Sequence, residues 1–288
     1  MTEKIRGNTP SIYFRYYNGT SQDSRNAVKD AVTDFYRKVG ENISFLLGTT
    51  IFVADEYGDI EGKAPLSSYI KKHGDTDNPY THGCTIFPEL NAGKKEIIIK
   101  TEEYQFPYNL FRKSLKPETI KQGVLHEIGH QFDNYFGTKN KRMLNRIKNI
   151  QISDNLTKME KAHVEEYSRH KDLSDSKEFK EAWKKDVEAL GKDKKKYEKF
   201  KSGWTTSYYS AQEIDITDGV SNEEIEQADK ARSEIFAQLF GYAFGRDDGY
   251  RKEIIQTYPN TYKMVLTYIN KYLGVDCNIG HAQLSFLY

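Results

Sequence analysis

Residues 126–130 read His-Glu-Ile-Gly-His, inside a segment whose apolar spacing is helical. Ile120, Val124 and Ile128 recur along one stripe. Pro117 suits a first helical turn and Gly137 a stop, so the spacing predicts a helix over 117–136. On a helix, positions i and i+4 share a face one turn apart. His126 and His130 can therefore aim their nitrogens at one tetrahedral cation, the arrangement by which H-E-x-x-H holds zinc. Glu127 stands beside the first ligand, within reach of water activated by the metal, and suits a general base. Gly129 costs about 1 kcal/mol against alanine in a helix interior. A glycine is expected there if substrate or backbone of the metal site comes close.

A catalytic zinc takes three protein ligands and leaves a fourth position open. The longer pattern H-E-x-x-H-x-x-G-x-x-H is absent, because Asp133 and Phe136 stand at its Gly and His positions. His73, His82, His163, His170 and His281 show no helical pairing and read as surface or structural histidines. A carboxylate remains, and two stretches compete. Residues 222–226 (NEEIE) are acidic with little apolar support, as in the solvated start of a helix. Glu234 instead lies among Ile235, Phe236, Ala237, Leu239 and Phe240. Burying a carboxylate in that company is costly unless it is paired or metal-bound. Glu234 is the expected third ligand.

The rest of the chain supplies a frame. Val28, Ala31, Val32, Phe35, Tyr36 and Val39 predict a helix over 23–39, with Ser21, Asp23 or Ser24 as its N-cap. Thr49–Ala54, Cys84–Phe87 and Lys95–Lys100 read as strands. Further helices are expected over about 228–244 and over 259–273, the latter between Pro259 and Gly274. Ten lysines and six acids lie between Ser176 and Lys201, with Phe179, Trp183, Val187 and Leu190 on one face. That is an amphipathic helix with a solvated charged side. The interleaved acids, and a net charge of +1 from 43 basic and 42 acidic residues, argue against a nucleic-acid surface. No apolar run approaches the ~18 residues of a membrane span, and no signal peptide is visible at the start. Aromatic residues make up 13% of the 288, which separates the chain from disordered sequences. Without repeats or linkers, it reads as one domain, sheet-containing over about 1–116 and helical over about 117–288. Cys84 and Cys277 allow one bridge at most, and two buried thiols are the expected state.

Three segments together resemble a known family: HEIGHQFDNYFG (126–137), SEIFAQLF (233–240) and YPNTYKMVLTYINKYLG (258–274). They are similar to the catalytic domain of lethal factor-like zinc metalloproteases, a group to which the bacterial Pro-Pro endopeptidases are related. GCTIFPELNAGKKEIII (83–99) resembles the family's strand pair before the active helix. The resemblance implies Zn²⁺ on His126, His130 and Glu234, with Glu127 as base. It implies a tyrosine that donates to the developing oxyanion. The family's T-S-Y segment resembles Thr206-Ser207-Tyr208, which makes Tyr208 the candidate and Tyr209 its alternative. The family's tyrosine stands about two turns before the glutamate ligand. Here 26 positions separate them, which implies an inserted segment over about 210–230. Gln238 stands where relatives carry a glutamate behind the ligands; with Asp133 it is a candidate support for the zinc ligands.

The expectation is an α+β, zincin-like fold, with a small twisted mixed sheet, an active-site helix and a mainly helical C-terminal part. Its expected activity is zinc-dependent endopeptidase, acting on a protein or peptide bound as an extended strand. Residues about 83–88 are the expected edge for that pairing. No nucleic-acid partner and no membrane span are expected, and the resemblance implies a secreted or host-delivered location. The alternative is a catalytically degenerate module of the same fold that docks a carrier or partner protein.

Overall fold

In the computed structural model, residues 2–4, 11–17, 19–55, 83–86, 95–104, 112–137, 172–193, 222–245 and 250–277 are described. Thr2–Lys4 (β1), Tyr13–Tyr16 (β2), Thr50–Ala54 (β3), Gly83–Ile86 (β4) and Glu96–Lys100 (β5) form one mixed sheet in the order β1-β2-β3-β5-β4. β2, β3 and β5 run parallel, with Phe14 beside Ile51 and Ile51 beside Ile97. β1 and β4 are antiparallel at the two edges. The unbroken apolar runs of β3 and β5 explain their central place. A parallel strand covered on both faces has no solvent side to alternate toward, and Ile97, Ile98 and Ile99 are all buried. Glu102–Tyr104 (β6) and Arg112–Ser114 (β7) pair as a separate antiparallel ribbon. The strand expected at Cys84–Phe87 lies one residue earlier, at Gly83–Ile86.

The helices are Gln22–Val39 (α1), Pro117–Phe136 (α2), Lys177–Lys192 (α3), Asn222–Phe244 (α4), Arg251–Thr257 (α5) and Pro259–Leu273 (α6). Of the three candidate caps of α1, Ser21 is the one that caps, its hydroxyl accepting the Ser24 N–H at 3.1 Å. Pro117 and Pro259 open α2 and α6, where a missing N–H costs nothing. Gly274 ends α6 at φ +64°, a left-handed turn that favours glycine. α3 buries Phe179, Trp183 and Leu190 and leaves Lys177, Lys184 and Lys185 exposed, as its pattern predicts. α4 starts six residues earlier than expected, so the acidic stretch 222–226 is its first turn.

α2 is the axis of the helical layer, packed between α1 and α4 and against the sheet. Aromatic rings lock this layer. Phe132 of α2 lies 4.9 Å from Phe240 of α4 and 5.5 Å from Phe45. Phe35 of α1 meets Phe244 edge-on at 4.7 Å, within the range where such pairs add to simple burial. The chain is thus α+β, a small mixed sheet and a mainly helical remainder. Among the described residues, no helix is long and apolar enough to cross a membrane.

Candidate metal centre

The site exists because α2 and α4 cross at close range. A Cβ added at Gly129 of α2 would lie 2.8 Å from the Ala237 Cα of α4 and 2.9 Å from its carbonyl oxygen. A Cβ at Gly241 would lie 2.5 Å from the Gln122 amide. These glycines let the two backbones approach. The cost of Gly129 within a helix is therefore explained by the close backbone of α4, the helix that carries Glu234.

At this crossing three atoms converge. His126 Nε2 lies 3.1 Å from Glu234 Oε2, His130 Nε2 lies 3.4 Å from the same oxygen, and the two Nε2 atoms are 3.2 Å apart. The triangle is nearly equilateral. A tetrahedron whose vertices stand ~2 Å from its centre has edges of about 3.3 Å, and ~2 Å is the bond length of zinc to imidazole or carboxylate. Three corners of that tetrahedron are in place, and the fourth is the position a catalytic zinc keeps open.

The outer nitrogens are held by α4. His126 Nδ1 is 3.0 Å from the Gln238 side-chain oxygen, and His130 Nδ1 is 3.2 Å from the Ser233 hydroxyl. With each Nδ1–H donating outward, each Nε2 turns a lone pair to the centre. A carboxylate oxygen and two lone pairs then face one another with no donor between them. Such a cluster needs positive charge at its centre, as a proton or a cation. Burial opposes a charge on His130, yet Glu234 and its hydrogen bond lift that imidazole to about 9 from the ordinary 6.5. Burial alone would raise the Glu234 carboxyl; the charge of His130 and the close contacts with both imidazoles hold it well below its usual range. The residues present fit a zinc ion in donor type, number and spacing.

Glu127 is buried against the edge strand. Burial pushes its carboxyl above the usual value, against the lowering effects of His126, His130 and a hydrogen bond from Thr85. Thr85 Oγ1 of β4 lies 2.6 Å from Glu127 Oε2.

The structure thus brings together His126, Glu127, His130, Glu234 and Gln238. Asp133 lies close enough to His130 for its charge to favour the charged imidazole, while its hydrogen bonds go elsewhere. Its two oxygens accept from the Ser174 N–H at 2.8 Å and the Ser174 hydroxyl at 2.7 Å. It fastens the turn before α3, and the hydrogen bond behind His130 is that of Ser233. Burial and the neighbouring Asp172 raise the Asp133 carboxyl. Tyr208 and Tyr209 lie outside the described residues. Of the expected insertion over 210–230, residues 222–230 are the first turns of α4. Cys277 is a half-buried free thiol, pushed up to about 11 by burial. The sequence reading missed Ser233 and Thr85. Ser233 precedes Glu234 directly, a signal that was present; Thr85 has no local signal, because only the tertiary fold lays β4 on α2. No family model and no curated protein matches the chain.

Proposed function

We propose that the protein is a zinc-dependent endopeptidase with a zincin-like fold. The observation that carries this reading is the convergence of His126, His130 and Glu234 on one tetrahedral centre, with buried Glu127 adjoining the first ligand. Bound there, zinc would supply Lewis acidity, polarising a scissile carbonyl and acidifying water.

The chain's own residues would do the rest. Glu127 takes a proton from the attacking water and passes it to the leaving amine as the C–N bond breaks. Its burial favours that role, since a carboxylate short of water holds a proton more readily. Gln238 and Ser233 keep the imidazoles in the tautomer that faces the centre. β4 is the sheet's outer strand among the described residues, and a strand in that place suits pairing with an extended peptide. Tyr208, or Tyr209, remains the proposed oxyanion donor, on the resemblance alone. The same resemblance supports a secreted or host-delivered enzyme.

A mixed peptide library, analysed by mass spectrometry, tests this. Zinc-loaded protein should cleave a defined subset, and both 1,10-phenanthroline and Glu127→Ala should stop the cleavage. Zinc-loaded protein that cuts no peptide, or Glu127→Ala that cuts as wild type, would overturn the reading and favour the partner-docking module.

A further inference from the structure

We propose that β4 positions the base: the Thr85 hydroxyl holds the Glu127 carboxylate, and Gly83 leaves the space which that carboxylate fills. This deepens the endopeptidase reading and rests on it. Positions 83 and 85 face the same side of a strand with period two. Here that side faces α2. Thr85 Oγ1 lies 2.6 Å from Glu127 Oε2 and 3.0 Å from the main-chain carbonyl of Glu127. The shorter contact is to the carboxylate, and a hydrogen bond to a charged acceptor is the stronger kind. Threonine is stiff at χ1, so its hydroxyl is a fixed post rather than a swinging one. The other carboxylate oxygen, Oε1, occupies the ground that a side chain at 83 would take. A Cβ at Gly83 would stand 2.5 Å from Oε1, 2.9 Å from Cγ and 3.0 Å from Cδ of Glu127. Gly83 is at no unusual φ, so close approach to Glu127 is the requirement for glycine there.

One short strand therefore does two things. Its outer side is where an extended peptide would pair, and its inner face fixes one oxygen of the base. Thr85 is a positioning residue: it acts through Glu127 and touches no reacting atom.

The test has two arms. In the metal-free protein, the thermal effects of Thr85→Val and Glu127→Ala should be non-additive in the double variant, because both remove one contact. Additive Tm losses would overturn the proposal. In the zinc-loaded protein, Thr85→Val should lower kcat by about 10²-fold, the cost of a misplaced catalytic group, with KM and zinc content unchanged. Thr85→Ser should restore most of it. Gly83→Ala should also lose kcat while melting near the wild-type temperature, since the clash falls on a side chain. Thr85→Val with wild-type kcat would overturn the proposal. Binding of acetohydroxamic acid, which needs a correctly placed base but no peptide cleavage, should weaken in Thr85→Val. If wild type cleaves no peptide yet the non-additivity and the hydroxamate effect persist, the endopeptidase reading fails and the positioning role stands.

Discussion

Two buried polar clusters sit on neighbouring helices and are built on opposite rules. In the first, Asp186 of α3 meets the start of α6. Its Oδ1 accepts from the Asn260 N–H at 3.3 Å and the Asn260 amide at 2.6 Å; its Oδ2 accepts from the Thr261 N–H at 2.8 Å and the Thr261 hydroxyl at 2.7 Å. Every acceptor has a donor. First-turn N–H groups of a helix lack internal partners and favour an anion, so a carboxylate from another helix completes the turn. In the second cluster, two imidazole nitrogens and a carboxylate oxygen meet within 3.4 Å, and a proton or a cation must come between them. The first cluster is complete and serves stability. The second is incomplete without added positive charge, which is what a binding site requires. Counting buried charges would not separate them; counting donors against acceptors does.

Removing the carboxylate from each cluster has the largest expected effects. Glu234→Ala should reduce zinc affinity by more than the ~10²-fold typical of residues behind a ligand, with the metal-free melting temperature lowered only below about pH 9, where His130 is charged. Isothermal titration and thermal melts would show both. Asp186→Ala should do the reverse. It strips four donors of a charged acceptor, and hydrogen bonds of that kind are worth ~1.5–3 kcal/mol each before compensation. A loss of about 3 kcal/mol in urea unfolding, with zinc affinity of the folded protein unchanged, is the expected result. Should both variants lose stability and neither lose metal, the two clusters would be of one kind.

Finer changes sharpen the contrast. Gln238→Ala and Ser233→Ala should each weaken zinc binding by about tenfold, through loss of imidazole orientation. Asp133→Ala should leave zinc affinity alone and reduce stability, because its partner is Ser174. Gly129→Ala should cost about 1–3 kcal/mol by overpacking the crossing, even though alanine is the better helix former. Stabilisation by that substitution would mean the α2–α4 approach is looser than described.

The last contrast is in pH dependence. In the metal-free protein the His130 imidazole is raised to about 9 from 6.5. A raised basic group stabilises the fold fully below its ordinary value and loses that contribution as pH rises through the folded one. Metal-free stability should therefore decline between about pH 6.5 and 9. Saturating zinc displaces that proton and should remove the decline. A metal-free melting curve flat across this window would mean that His130 is not held charged by Glu234.

What the sequence disclosed was what is local. Pro117, the Ile120–Val124–Ile128 stripe and Gly137 delimit α2 to the residue, and H-E-x-x-H sets two imidazoles on one face by helical spacing alone. Glu234 was legible from the cost of its apolar neighbours. β3 and β5 announced themselves as β-branched runs. By contrast β1, β2, β6 and β7 are three or four residues long, too short to show a period. The parallel pairing of β2, β3 and β5 joins distant segments, so no local pattern specifies it. Thr85 belongs to the site only because β4 crosses α2. Helix position says which face Asp133 takes, and not that Ser174 will be its hydrogen-bond partner.

A zinc ion at the crossing of α2 and α4 is the feature on which the proposed function stands. Elemental analysis of purified protein after zinc loading and dialysis, beside Glu234→Ala, measures it directly. About one zinc per chain is expected in wild type, set by the three-ligand centre, with loss of that zinc in the variant. Wild type that retains no zinc, or a variant that retains as much as wild type, would contradict it.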